Sequence, residues 1–170
     1  PLLMNPVFAN YMQAYGQGGL RAMSFGPEAL SQLTRLYWYT VEFGLINTPQ
    51  GLRIYGAGIL SSKGECHYSL NADAPNRIGF DLKRVMNTRY RIDTYQKTYF
   101  VIDNFEQLFE ATFADFAPVY AQLNQSKAVP AGEVTYEGSL DVVGHYAKPG
   151  DTRRYGSIQR FLSNGRGAVR

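Results

Sequence analysis

The chain is poor in the residues that build covalent or metal-bound frameworks. Among 170 residues it has one cysteine, Cys66, two histidines, His67 and His145, and one tryptophan, Trp38. A lone cysteine excludes an internal disulfide framework and suits a reducing cytoplasm. No apolar run approaches the roughly 20 residues that a membrane-spanning helix needs. No charged-apolar-small leader pattern opens the chain. Charge of one sign is also scarce: the net is only +3. The basic stretches Lys83–Arg91 and Arg153–Arg170 lack a glycine-rich phosphate loop or a nucleic-acid module beside them, so they read as solvated surface. Neither a nucleic-acid partner nor a membrane is expected.

Aromatic side chains are abundant, at 14% with 13 Tyr and 10 Phe, against a hydrophobic content of 45%. That suits one domain with a packed core. The densest stretch is Arg35–Leu45, RLYWYTVEFGL. It carries one carboxylate, Glu42, inside an apolar run. On a helix, Glu42 shares a face with Trp38, Tyr39 and Leu45. A carboxylate there must be paired, hydrogen-bonded, protonated or metal-bound, because an unpaired buried charge costs several kcal/mol, about 3–5 when one partner is missing. Pattern alone leaves these alternatives open. Arg35, two turns earlier, and Arg53 are candidate ion-pair partners.

Elsewhere Asn5-Pro6 reads as a cap and first helical residue, with the helix expected to stop at Gly16, Gly18 and Gly19. Gly26-Pro27-Glu28 starts a second helix, with Leu30, Leu33, Tyr37, Val41 and Leu45 as its stripe and Gly44 near its end. Leu52–Tyr55 is a strand candidate. Ser62-Lys63-Gly64-Glu65 has capping-box form. Asn71–Gly79 reads as a loop and Asp81–Met86 as a capped helix. Arg91–Tyr95 and Thr98–Ile102 alternate as strands and are expected to pair as an antiparallel ribbon. Asp103 opens a third long helix with Leu108, Phe109, Phe113 and Phe116 on its buried face, ended by Pro118. The domain reading is a body over 1–125 and an irregular, partly β-prone tail over 126–170, with pieces at Glu133–Tyr136, Leu140–Val143 and His145–Tyr146.

RLYWYTVEFGL followed by IYGAGILSS resembles the core of the aromatic amino acid hydroxylase family, on its bacterial phenylalanine 4-monooxygenase branch. The resemblance runs to about Leu123. It implies the C-terminal portion of that catalytic domain, mainly α with a small antiparallel β ribbon. It implies a pterin-dependent iron(II) monooxygenase converting L-phenylalanine to L-tyrosine with dioxygen and a tetrahydropterin cosubstrate. By motif, Glu42 is the carboxylate of a 2-His-1-carboxylate iron site. Trp38, Phe43, Gly58, Ser61 and Ser62 fall at substrate-pocket positions. Tyr37 falls near the iron-bound water and the pterin, and Ser61 supports an iron-bound histidine. The family's two histidine ligands lie just before a Pro-Leu-Leu-like stretch, whereas this chain opens on Pro1-Leu2-Leu3. The expectation is therefore the C-terminal part of a longer protein, inactive and iron-free alone and active as the parent. No heptad repeat predicts a tetramerising coiled coil, so a cytoplasmic monomer is expected. Rival readings are a domain of this family that kept the pocket and lost the metal, and a member acting on tyrosine or tryptophan.

Overall fold

The structure is a computed structural model that describes residues 2–113 and 115–133. Expectations for Glu133–Tyr136 past its first residue, and for Leu140–Val143 and His145–Tyr146, fall outside those residues. After a turn of 3-10 helix at Leu2–Met4, α1 spans Pro6–Ala22. Asn5 caps it, its Oδ1 accepting from the amides of Val7 and Phe8 at 2.9 and 3.2 Å. The glycines do not end α1. Gly18 lies where an added Cβ would meet the Phe116 ring at 3.1 Å, so the missing side chain lets α1 pack closely there. That contact offsets the roughly 1 kcal/mol that a mid-helix glycine costs.

Helix α2 spans Pro27–Tyr37 and continues as a single wide turn through Trp38–Glu42. Gly26 precedes it at φ 95°, a conformation that only glycine adopts readily. Its buried stripe is Ala29, Leu33 and Leu36, whereas Leu30 is exposed, so the stripe sits one position off the expected one. Leu45 belongs to the next element.

β1 (Leu45–Thr48) and β2 (Gly51–Ile54) form an antiparallel hairpin. Short α3 (Ala57–Leu60) and α4 (Lys63–Asn71) follow, then β3 (Asn76–Gly79), α5 (Leu82–Asn87), β4 (Thr98–Ile102), α6 (Phe105–Phe113) and α7 (Ala117–Leu123). The sheet order is β2-β1-β4-β3, and β4 pairs parallel with both neighbours. The mainly helical fold with a small sheet is thus present, but its antiparallel ribbon is formed by other segments than those expected. Arg91–Tyr95 is an irregular loop, and the antiparallel pair is β1–β2. Asn76–Gly79, expected in a loop, is a strand. The reason is burial: all of β4 is covered, and a strand buried on both faces sits inside a sheet rather than at the edge of a hairpin.

β4 also divides the interior. Phe100 and Ile102 enter the main core with Tyr11, Leu33, Leu36 and Tyr39. Tyr99 and Val101 face the other way, into a smaller cluster with Phe43, Leu45 and Ile59. This two-residue alternation is the strand period. Trp38 packs against both clusters and marks their junction. Pro118 does not interrupt α6, which has already ended; it sits in the first turn of α7. Residues 127–133 strap the body: Val129 is fully buried and exchanges backbone bonds with Asn87 and Arg89. Among the described residues no helix is long and apolar enough to cross a membrane.

Candidate active site

The site grows from the break in α2. Thr40 donates its hydroxyl to the Leu36 carbonyl at 2.6 Å, and the Tyr11 hydroxyl lies 2.7 Å from Thr40 Oγ1. Thr40 has one proton and spends it on Leu36, so Tyr11 is the donor. A hydroxyl competing for the i−4 carbonyl loosens the helix ladder. The turn then widens and closes from the Phe43 amide to the Trp38 carbonyl at 2.8 Å, an i→i+5 bond. A turn of that width brings residues five apart onto one side. Tyr37 and Glu42 meet there, with the carboxylate close enough to act on the phenol. Partial desolvation, then the neighbouring Glu42 carboxylate, raise the Tyr37 pKa above its ordinary value.

The second wall is the Tyr55–Gly58 segment. The amides of Tyr55 and Gly56 both donate to the Gly44 carbonyl, at 3.2 and 3.0 Å. A Cβ on Gly56 would lie 2.6 Å from the Gly44 nitrogen and 2.7 Å from the Glu42 carbonyl carbon. A Cβ on Gly58 would lie 3.0 Å from Glu42 Oε2 and 2.9 Å from the Phe43 ring. These glycines let one backbone press on another and leave Gly58 directly against the carboxylate.

The third wall is aromatic. Trp38 stacks between Phe43, with centroids 4.8 Å apart, and Tyr90, with centroids 4.4 Å apart. Its indole Nε1 is buried and has no hydrogen-bond partner among the described residues. Ser61 donates to the Gly58 carbonyl at 2.7 Å, fixing the end of α3. Ser62 accepts from the Glu65 amide at 3.2 Å, which is half of a capping box. The returning half is absent because the Glu65 carboxylate turns inward instead. It accepts from Tyr99 Oη at 2.7 Å and from the Gln96 amide at 3.2 Å.

The ion pairs open to Glu42 in the sequence are not formed. Arg35 bonds Glu28 and Ser31, each at 3.1 Å, and the Met86 carbonyl at 3.1 Å. Arg53 bonds the exposed carbonyl of Leu52. Glu42 enters no ion pair among the described residues. It also sits in the last turn of its helix, the negative end of the dipole, where a carboxylate is disfavoured by about 0.3–1 kcal/mol. A carboxylate so placed is a natural ligand for a cation. The described residues do not complete a metal site: no group of three His, Cys, Asp or Glu side chains comes together among them. His67 is exposed on α4, and His145 lies outside the described residues. Among the described residues, Glu42 therefore has no pair of His, Cys, Asp or Glu side chains beside it to complete a metal site.

The structure thus brings together Tyr37, Trp38, Glu42, Phe43 and Gly58, and sets Ser61 and Ser62 one turn further along. Sequence reading missed Tyr90 and the inward turn of Glu65. Tyr90 carries no pattern around it, and Glu65 was accounted for by the capping box. Its true partners lie 31 and 34 residues away.

A fold with these features has known counterparts. The model of the biopterin-dependent aromatic amino acid hydroxylase family matches residues 1–134, and the chain belongs to that family. It is 67% identical over 134 residues to the phenylalanine-4-hydroxylase of Chromobacterium violaceum, covering 79% of this chain and 44% of that protein. It is 68% identical over 134 residues to the phenylalanine-4-hydroxylase of Ralstonia nicotianae, covering 79% of this chain and 42% of that one. The crystal structure of the C. violaceum enzyme with iron and phenylalanine bound matches with a TM-score of 0.77 at 65% identity, covering 81% of this chain and 50% of that chain. The chain therefore spans under half the length of these two relatives.

Proposed function

We propose that the protein carrying this chain hydroxylates L-phenylalanine to L-tyrosine, using ferrous iron, a tetrahydropterin and dioxygen. The observation that carries this reading is the Glu42 carboxylate. It lacks an ion pair among the described residues, stands at the unfavourable end of a helix dipole, and faces a wall of Trp38 and Phe43 across Gly58. When bound, iron and pterin would supply the oxygen activation. The protein's part is orientation and exclusion of water.

In this reading Glu42 is one iron ligand, and the other two come from the part of the relatives' length that this chain does not cover. Trp38 and Phe43 bind the substrate ring, for which flat aromatic walls are suited. Gly58 admits the substrate backbone beside Glu42. Ser61 and Ser62 offer hydroxyls at the pocket edge, and Ser61 also supports a ligand from outside the metal's immediate contacts. Tyr37, lying beside Glu42, orients the carboxylate and lies on the pterin side. Residues 1–125 form the C-terminal part of the catalytic unit, with 126–170 appended as a tail. A cytoplasmic location accords with the single cysteine, and a monomer with the lack of a heptad repeat in the sequence.

The full-length protein should convert phenylalanine to tyrosine when given ferrous iron and reduced pterin. Glu42→Gln should lose both bound iron, read by metal analysis, and turnover. Residues 1–170 alone should hold no stoichiometric iron. Turnover by Glu42→Gln, or one tight iron per isolated chain, overturns the assignment. A wild-type protein that neither binds iron nor hydroxylates is instead the pocket-retaining domain without a metal.

A further inference from the structure

We propose that Glu65 is a positioning residue for the aromatic pocket, latching the loop 91–97 in place beside Phe43. The inference rests on the reading of that pocket as the substrate site. Glu65 is 7% exposed and takes two bonds on one oxygen, from Tyr99 of β4 and from the Gln96 amide at the end of the loop. Burial and the Glu65 hydrogen bond push the Tyr99 phenol far above the ordinary range, so it remains a donor throughout neutral pH.

The loop needs such a tether. Ile92, Asp93, Thr94 and Tyr95 are exposed, and two side-chain contacts of its first half are internal: Arg91 forks onto Asp93, and Gln96 Nε2 donates to the Arg91 carbonyl at 2.7 Å. Its upstream end runs into Tyr90, stacked on Trp38. Its downstream end is the Gln96 amide on Glu65. Between them the loop forms one side of an open groove of about 420 Å³, with Phe43 and Glu65 on the other. The groove therefore shares Phe43 with the aromatic wall. Releasing Gln96 would let the loop, and the Tyr90 ring joined to it, shift against Trp38. Tyr95 adds a weaker hold by lying against Gly64 and Tyr68.

The latch needs an acceptor at Oε1 rather than a charge. In the full-length protein, Glu65→Ala should therefore raise the KM for phenylalanine about tenfold, the lower range for residues that orient a site from behind, while kcat changes far less. Hydrogen exchange at the Gln96 amide and through 91–97 should accelerate by about tenfold or more. Glu65→Gln keeps an oxygen acceptor and should restore both readouts. Tyr99→Phe removes one donor, leaves the Gln96 bond, and should show a smaller KM rise. It serves as the test if Glu65→Ala fails to fold. Unchanged exchange and KM in Glu65→Ala, or a Glu65→Gln protein as impaired as Glu65→Ala, overturns the latch. If the wild-type protein does not hydroxylate phenylalanine, the functional reading fails, and the exchange measurement still decides the latch by itself.

Discussion

Glu65 lies in the first turn of α4, at the positive end of the helix dipole, with Tyr99 and Gln96 donating to its buried carboxylate. Glu42 lies across Phe43, in the last turn of its helix, beside the Tyr37 phenol and with no ion pair among the described residues. The two acids border the same wall and differ in how far the fold has satisfied them. One is spent on holding the structure. The other stands at the unfavourable end of its helix without an ion pair among the described residues, as the proposed ligand role would require.

The strongest way to break this comparison is Glu42→Gln. On the proposed reading, hydroxylation falls by more than about a hundredfold. Yet the metal-free protein should be unchanged or more stable, by up to about 1 kcal/mol, since a charge leaves the wrong end of a dipole. Urea unfolding checks the second half, and a large loss of stability would show that Glu42 is structural after all.

Next is Gly56→Ala, which drives a methyl group into the backbones of Glu42 and Gly44. Neither can swing away as a side chain would, so a loss of about 3 kcal/mol is expected, at the upper end of overpacking. A midpoint close to wild type would mean that the Glu42 turn is not clamped by this loop. Glu65→Ala comes third. It strands the Tyr99 hydroxyl and the Gln96 amide, for about 2 kcal/mol by the same unfolding measurement.

A pH titration then sharpens the contrast. Burial pushes the Tyr15 and Tyr120 phenols up to about 12. A phenol whose folded pKa is raised gives stability that is complete below its unfolded pKa, about 10, and is lost as pH rises through the folded value. Ultraviolet titration should show these two deprotonating late, in wild type and in Glu42→Gln alike. Tyr37 should titrate earlier in Glu42→Gln, because part of its shift comes from that charge. The smallest effect belongs to Arg91→Ala. Arg91 and Asp93 form an exposed fork, and exposed pairs add little. Its unfolding midpoint should not move measurably. A large shift would mean that the loop is held at Arg91 rather than at Glu65.

Much of the fold was legible along the chain because its signals are local. The Asn5 cap, the Gly26-Pro27 start, the Asp81 cap of α5 and the β2 strand each depend on a few adjacent residues. Glu42 stood out for the same reason, as a single charge in an aromatic run. The readings that failed depend on distant partners. Gly18 looks like a helix stop until Phe116 arrives against it. Thr98–Ile102 looks like half of a hairpin until β1 and β3 flank it in parallel.

The sequence carried the helix caps, the strand periods and the membership of Glu42 in an aromatic stretch, since propensity and spacing act within a few residues. Folding alone settled which acid would be satisfied. That outcome turned on the Thr40 hydroxyl widening a helical turn, on Arg35 being claimed by Glu28 and Met86, and on β4 bringing Tyr99 to Glu65. Hydrogen bonds are short, and the chain must first fold before groups dozens of residues apart can compete for one another.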